Sequence, residues 1–134
     1  MDRPSQPTES SPGRTILVVE DEPAVRDLVA RVLSRTGHDI LVEADPLVAL
    51  GRTDLDRVDL LVSDVVMPGL TGPEVYQRLR ERHPRIRVVF MSGYFERGPH
   101  GENPIPPGAR FLAKPFTPQA LSMVVLEALA EPVA

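Results

Sequence analysis

The chain has 134 residues, 42% of them hydrophobic and 25% charged, enough for one ordinary core and too few for two. Its 15 basic and 19 acidic residues leave a net charge of -4. That is not the basic excess a phosphate-backbone binder needs, so direct nucleic-acid binding is not expected. The sequence holds no cysteine, no apolar run of membrane-spanning length and no signal-peptide centre, which leads to the expectation of a cytoplasmic protein without a membrane partner.

Residues 1–13 (MDRPSQPTESSPG) contain no Val, Ile, Leu or Phe and read as a disordered tail or linker. A single folded domain is expected over 14–130, with a short tail at 131–134 and no output domain after it. The first apolar run, Ile16 to Val19, is continuous, as in a strand covered on both faces. It ends in Glu20-Asp21-Glu22. Pro23 then opens a helix with Val25, Leu28, Val29, Val32 and Leu33 on one face and Gly37 as its C-terminal cap.

A second strand is predicted over Asp39 to Glu43, then a helix capped by Asp45 and running from Pro46 to about Thr53. The third strand, Leu60 to Ser63, stops at Asp64, and a third helix starts near Pro73 and ends at Pro84. Val88 to Met91 form a fourth strand ending at Ser92. The segment 94–108 is so rich in proline and glycine that a fourth helix is short or missing. Phe111 to Ala113 make the last strand. Thr117 and Pro118 start a closing helix with Leu121, Val124, Val125, Ala128 and Leu129 buried. Its second apolar line, Met123, Leu126 and Ala130, is read first as an arc of the core face, and otherwise as a homodimer or partner surface. Alternation of strands and helices predicts an α/β fold with a doubly wound, five-stranded parallel sheet.

Four polar signals follow the strands: Glu20-Asp21, Asp64, Ser92 and Lys114. Ligands of open parallel sheets bind at that edge, so the four are expected to converge. Three carboxylates brought together repel, and one lysine cannot neutralise them. Oxygen ligands without His or Cys point to Mg²⁺, and the site reads as a phosphoryl-transfer centre. Glu22, Asp39 and Asp59 are read as solvated caps or turn formers, and His38, His83 and His100 as surface residues without metal-ligand spacing.

From about Arg14 to Leu129 the chain resembles the response-regulator receiver domains of two-component signalling, on ILVVEDEP (16–23), SDVVMPGLTG (63–72), VVFMSGY (88–94) and FLAKPF (111–116). The resemblance implies a flavodoxin-like sheet and makes Asp64 the phosphoacceptor for a histidine kinase or phosphotransfer protein. It makes Asp21, Asp64 and the Val66 carbonyl direct Mg²⁺ ligands, with Glu20 acting mainly through water. Ser92 and Lys114 would hold the phosphoryl group. Ser92 and Phe111 would form the switch, Lys114-Pro115 a cis peptide, and Val66 and Tyr94 the control over loss of the phosphoryl group. Phe111 lacks the hydroxyl of the tyrosine common at its position.

On this reading the chain is not an enzyme beyond Mg²⁺-dependent self-phosphorylation and self-dephosphorylation. It signals through protein contacts, alone or within a hybrid sensor kinase, whose receivers share the MSGY and KPFT wording. The alternative is a pseudo-receiver, a binding module acting without phosphorylation through its altered 94–108 region. A phosphatase or flavin protein on a similar sheet would need a Gly-rich phosphate loop or a separate acid or base, and the sequence contains none.

Overall fold

Apolar runs without polar alternation need cover on both faces, and the chain supplies it by winding helices onto each side of one sheet. The computed structural model describes residues 13–93, 106 and 109–131. Strands β1 (Thr15–Val19), β2 (Asp39–Glu43), β3 (Leu60–Asp64), β4 (Arg87–Ser92) and β5 (Arg110–Ala113) pair in parallel in the order β2-β1-β3-β4-β5. Helices α1 (Pro23–Ser34) and α4 (Pro118–Ala130) cover Ile16, Val18, Val62 and Met91 on one face. Helices α2 (Pro46–Leu50) and α3 (Gly72–Arg82) cover Leu17, Val19, Leu61 and Phe90 on the other.

Residues 16 to 19 of β1 thus alternate between two cores while each stays at most 1% exposed. Burial of each such side chain contributes about 2 kcal/mol, so β1 anchors both layers. Tyr76 of α3 closes one edge, its ring meeting Phe90 edge-on with centroids 6.0 Å apart.

Two of the expected caps are formed: Asp45 Oδ1 accepts from Leu47 N at 2.9 Å, and Thr117 Oγ1 from Ala120 N at 3.0 Å. Other boundaries differ from the sequence expectation. Helix α2 stops at Leu50 rather than near Thr53, because the Arg52 side chain turns back to Glu43 at 2.6 Å and to Asp54 at 2.9 Å. The chain then makes a 3-10 turn at Leu55–Arg57 that buries Leu55. Helix α3 is capped by Thr71, whose hydroxyl accepts from Glu74 N while Glu74 Oε1 accepts from Thr71 N. Arg35 caps α1. Gly37 lies two residues beyond, with φ 86°, where it turns the chain toward β2.

The core-facing reading of the second apolar line on α4 is overturned. Met123 is 54% and Leu126 62% exposed, and Ala130 is exposed too. Leu121, Val125, Ala128 and Leu129 already fill the contact with α1 and the sheet, and Val124 is half-buried beside them. The expected short or missing fourth helix concerns 94–108, which apart from Pro106 lies outside the described residues, as do 1–12 and 132–134. Among the described residues no helix is long and apolar enough to cross a membrane.

Asp39 is exposed as expected, 3.6 Å from Arg57, whereas Asp59 is neither a solvated cap nor a turn former: half-buried, its Oδ2 accepts from the distant Thr15 N at 2.8 Å. His83 caps α3. His38 is more than a surface residue: half-buried, its Nδ1 accepts from Arg14 N at 3.0 Å. Burial and the Arg14 charge hold its pKa below the ordinary 6.5, against an opposing pull from Asp59. A histidine whose folded pKa is lowered stabilises the fold fully above its unfolded pKa, and that contribution is lost as pH falls toward the folded value. Urea unfolding of wild type and His38→Asn, which keeps an acceptor near the Nδ1 position, should therefore diverge. Wild type should lose more stability than the variant on acidification below 6.5; parallel pH profiles would show that the Arg14 bond does not depend on a neutral ring.

Candidate functional site

The order of the sheet reverses between β1 and β3, since the chain leaves β1 for β2 on one side and returns with β3 on the other. Glu20 and Asp21 follow β1, and Asp64 ends β3. Carboxylate oxygens of all three lie within 4.8 Å of one another. Glu20 is fully buried, Asp64 is 8% exposed, and Asp21 opens to solvent. Lys114, just past β5, reaches in. Its Nζ is 3.1 Å from Glu20 Oε1 and 3.3 Å from Asp64 Oδ2, with the exposed Glu22 at 3.9 Å.

Among the described residues the ammonium at this cluster, Lys114, does not balance three carboxylates. Burial pushes the Glu20 carboxyl above its ordinary value and the charge of Asp64 adds to the rise; the Glu22 N–H and Lys114 only oppose it. Burial alone would lower the Lys114 pKa, yet Glu20 and Asp64 outweigh it and hold the ammonium protonated. The two partners therefore do not shift as mirror images: Lys114 gains from two carboxylates, while Glu20 loses water and faces a like charge. Glu20 Oε1, although close to Lys114, is buried without an aligned hydrogen bond. An oxygen-only donor set with an unsatisfied buried oxygen and one solvent-facing member fits a hard divalent cation that keeps several waters.

Local structure holds these groups in place. Glu20 Oε2 accepts from Glu22 N at 3.1 Å, and Asp64 Oδ1 from Val65 N at 3.0 Å. Arg26, one turn into α1, donates from Nη1 to the backbone carbonyls of Glu20 at 3.0 Å and Asp21 at 3.4 Å. The loop after Asp64 closes through Gly72 N to Val65 O at 2.8 Å. A Cβ on Gly72 would collide with the Asp64 carbonyl oxygen and crowd Ser63 Oγ.

The remaining expected residues divide. Ser92 ends β4, one position beyond the partner of Asp64, and is 2% exposed. Its carbonyl accepts from Lys114 N at 2.7 Å, which ties the two to one edge. The Lys114–Pro115 bond is cis. The Val66 side chain is 55% exposed beside the site, and Phe111 on β5 stands outward, 42% exposed. Tyr94 lies outside the described residues. Sequence reasoning missed Arg26 and Gly72. Nothing in a helical heptad marks which arginine reaches back over an acidic loop, whereas the glycine closing the SDVVMPGLTG stretch was visible but its neighbour was not.

The family model described as "Response regulator receiver domain" matches residues 16–126. The chain is 39% identical over 124 residues to the sensor kinase CckA of Brucella abortus (strain 2308), covering 91% of this chain and 13% of that protein. It is 32% identical over 101 residues to sporulation initiation phosphotransferase F of Bacillus subtilis (strain 168), covering 75% and 82%. Among solved structures, the receiver domain from the hybrid histidine kinase CckA superposes with a TM-score of 0.72 at 37% identity, covering 86% of this chain and 98% of that one. The chain thus spans a small part of the sensor kinase and most of the phosphotransferase.

Because the Gly72 position has no room for a methyl group against backbone, Gly72→Ala should destabilise the fold by about 1–3 kcal/mol. Chemical denaturation measures this directly, and an unchanged midpoint would mean that the loop yields without cost.

Proposed function

The chain belongs to the response regulator receiver domain family, and from that premise we propose that Asp64 is its phosphoacceptor, working with Mg²⁺ held by the acidic cluster. The observation that carries the reading is the set of Glu20, Asp21 and Asp64 oxygens within 4.8 Å of one another, with Lys114 Nζ 3.3 Å from Asp64 Oδ2. Asp21, Asp64 and the backbone carbonyl of Val66 would hold the ion, and Glu20 would act mainly through its water. When bound, Mg²⁺ supplies positive charge to the transferring phosphoryl oxygens.

The chain's own residues do the rest. A carboxylate oxygen of Asp64 forms the new O–P bond while the N–P bond of a phosphohistidine donor breaks, the electron pair leaving on the imidazole nitrogen. The transition state spreads charge over the equatorial oxygens, and Lys114 stands where it can offset that charge. Its raised pKa keeps the ammonium charged throughout. Val65 N–H holds Asp64 Oδ1 in place, so little reorganisation is needed on attack. The Ser92 hydroxyl would bond the phosphoryl group after transfer. Its movement would vacate space for Phe111, now 42% exposed, and so alter the surface around β4 and β5 for a protein partner. The donor is a histidine kinase or phosphotransfer protein; the likeness to a sensor kinase and to a phosphotransferase supports this reading. The chain turns over no substrate beyond its own phosphoryl group.

Loss of that group needs a water in line behind phosphorus. Val66 and Tyr94 control that approach, and neither side chain is a strong base. Incubation of the full chain with Mg²⁺ and acetyl phosphate should add one phosphoryl group by intact mass, and Asp64→Asn should add none. After donor removal the mass should persist for minutes or longer. A wild type that gains no phosphoryl group favours the pseudo-receiver reading, and decay within seconds contradicts the slow-release assignment.

A further inference from the structure

Two depressions adjoin between the C-terminal end of α1 and the length of α4, sharing Thr36 and Ser122 as lining residues. Val32 and Leu129 form apolar floor, and Met123 and Leu126 stand on the α4 rim, 54% and 62% exposed. Arg14, Arg35 and His38 line the same groove, and among the described residues no carboxylate does. In a chain with 19 acidic and 15 basic residues, such a stretch is a departure from the rest of the surface.

The acidic residues nearest in the chain are engaged elsewhere. Glu127 and Glu131 lie 3.3 and 3.6 Å from Arg110. Asp59 accepts from Thr15 N, its charge reaching His38 but not pairing with Arg14 or Arg35, and Asp39 faces Arg57. Among the described residues neither Arg14 nor Arg35 has a carboxylate within ion-pair distance. An apolar strip of this kind, with Met123 and Leu126 three positions apart on one helix face, fits the ridge of another helix.

We propose that the α1–α4 groove is a docking site for a protein segment of amphipathic helix, with an apolar ridge flanked by Asp and Glu. The apolar centre supplies affinity and the cationic wall supplies orientation and partner choice. A second copy of the chain fits less well, since in a two-fold contact the partner surface is this same one, which among the described residues lines the groove with no carboxylate to meet Arg14 and Arg35. A nucleic acid would leave Met123 and Leu126 without apolar partners.

The test uses the isotope-labelled full chain and a synthetic helical peptide with Leu at i, i+3 and i+7 flanked by Glu, followed by amide shifts. A second peptide carries Lys in place of each Glu. The expected result is shifts at Thr36, Ser122 and Leu126 with the Glu peptide, weaker binding at higher salt, and roughly tenfold weaker binding by Leu126→Asn. Arg35→Glu should weaken the Glu peptide and strengthen the Lys peptide. Equal binding of both peptides to wild type, or no shifts at those residues, overturns the proposal. Self-association of the free chain that Leu126→Asn abolishes also overturns it, and assigns the groove to a second copy.

Discussion

At the end of a parallel sheet, Glu20 and Asp64 lie almost out of water with the Lys114 ammonium between them. Two buried like charges would be costly without a cation, and removing one partner from such a set leaves an uncompensated charge. The topology places the carboxylates on adjacent strands and the lysine two strands away from Asp64, so Lys114 bridges the switch point from the far side of β4. Local supports that otherwise look unrelated serve this arrangement. Arg26 holds the carbonyls of Glu20 and Asp21, Gly72 lets the next loop close against Asp64, and the Thr71–Glu74 box starts α3 just after it.

That arrangement leaves the charge of the cluster unbalanced. Lys114 offsets part of the negative charge, while Glu20 keeps a buried oxygen without an aligned hydrogen bond and Asp21 faces solvent. The remaining deficit of positive charge is what the proposed Mg²⁺ would fill, and an incoming phosphoryl group would add to the demand for it. On the proposed function the fold and the chemistry rest on one distribution of charge: the lysine that offsets Glu20 and Asp64 at rest would also meet the incoming group.

Much of this was legible because strands buried on both faces leave an unambiguous mark. Ile16 to Val19 and Leu60 to Ser63 read as strands directly, and each is followed at once by an acid of the Glu20–Asp21–Asp64 cluster. Asp45 and Thr117 declared their helices because a cap is a local interaction. What escaped depends on distant geometry. Helix α2 ends where Arg52 finds Glu43 on a neighbouring strand, and His38 is drawn inward by a backbone N–H from the segment before β1. Periodicity alone could not separate the buried line of α4 from Met123 and Leu126, since α4 is apolar around most of its circumference and the sheet has room for only one stripe.

The charge deficit can be read without any phosphodonor. Thermal unfolding of the full chain should be followed across a Mg²⁺ titration at constant ionic strength, alongside Asp21→Asn, which removes the solvent-facing ligand. Binding to the folded state alone raises stability by mass action, so wild type should gain a saturable increase in midpoint that the variant largely loses. A midpoint indifferent to Mg²⁺ in wild type, or an equal rise in both proteins, would mean that Lys114 already satisfies the cluster and that the acidic site is not a cation site.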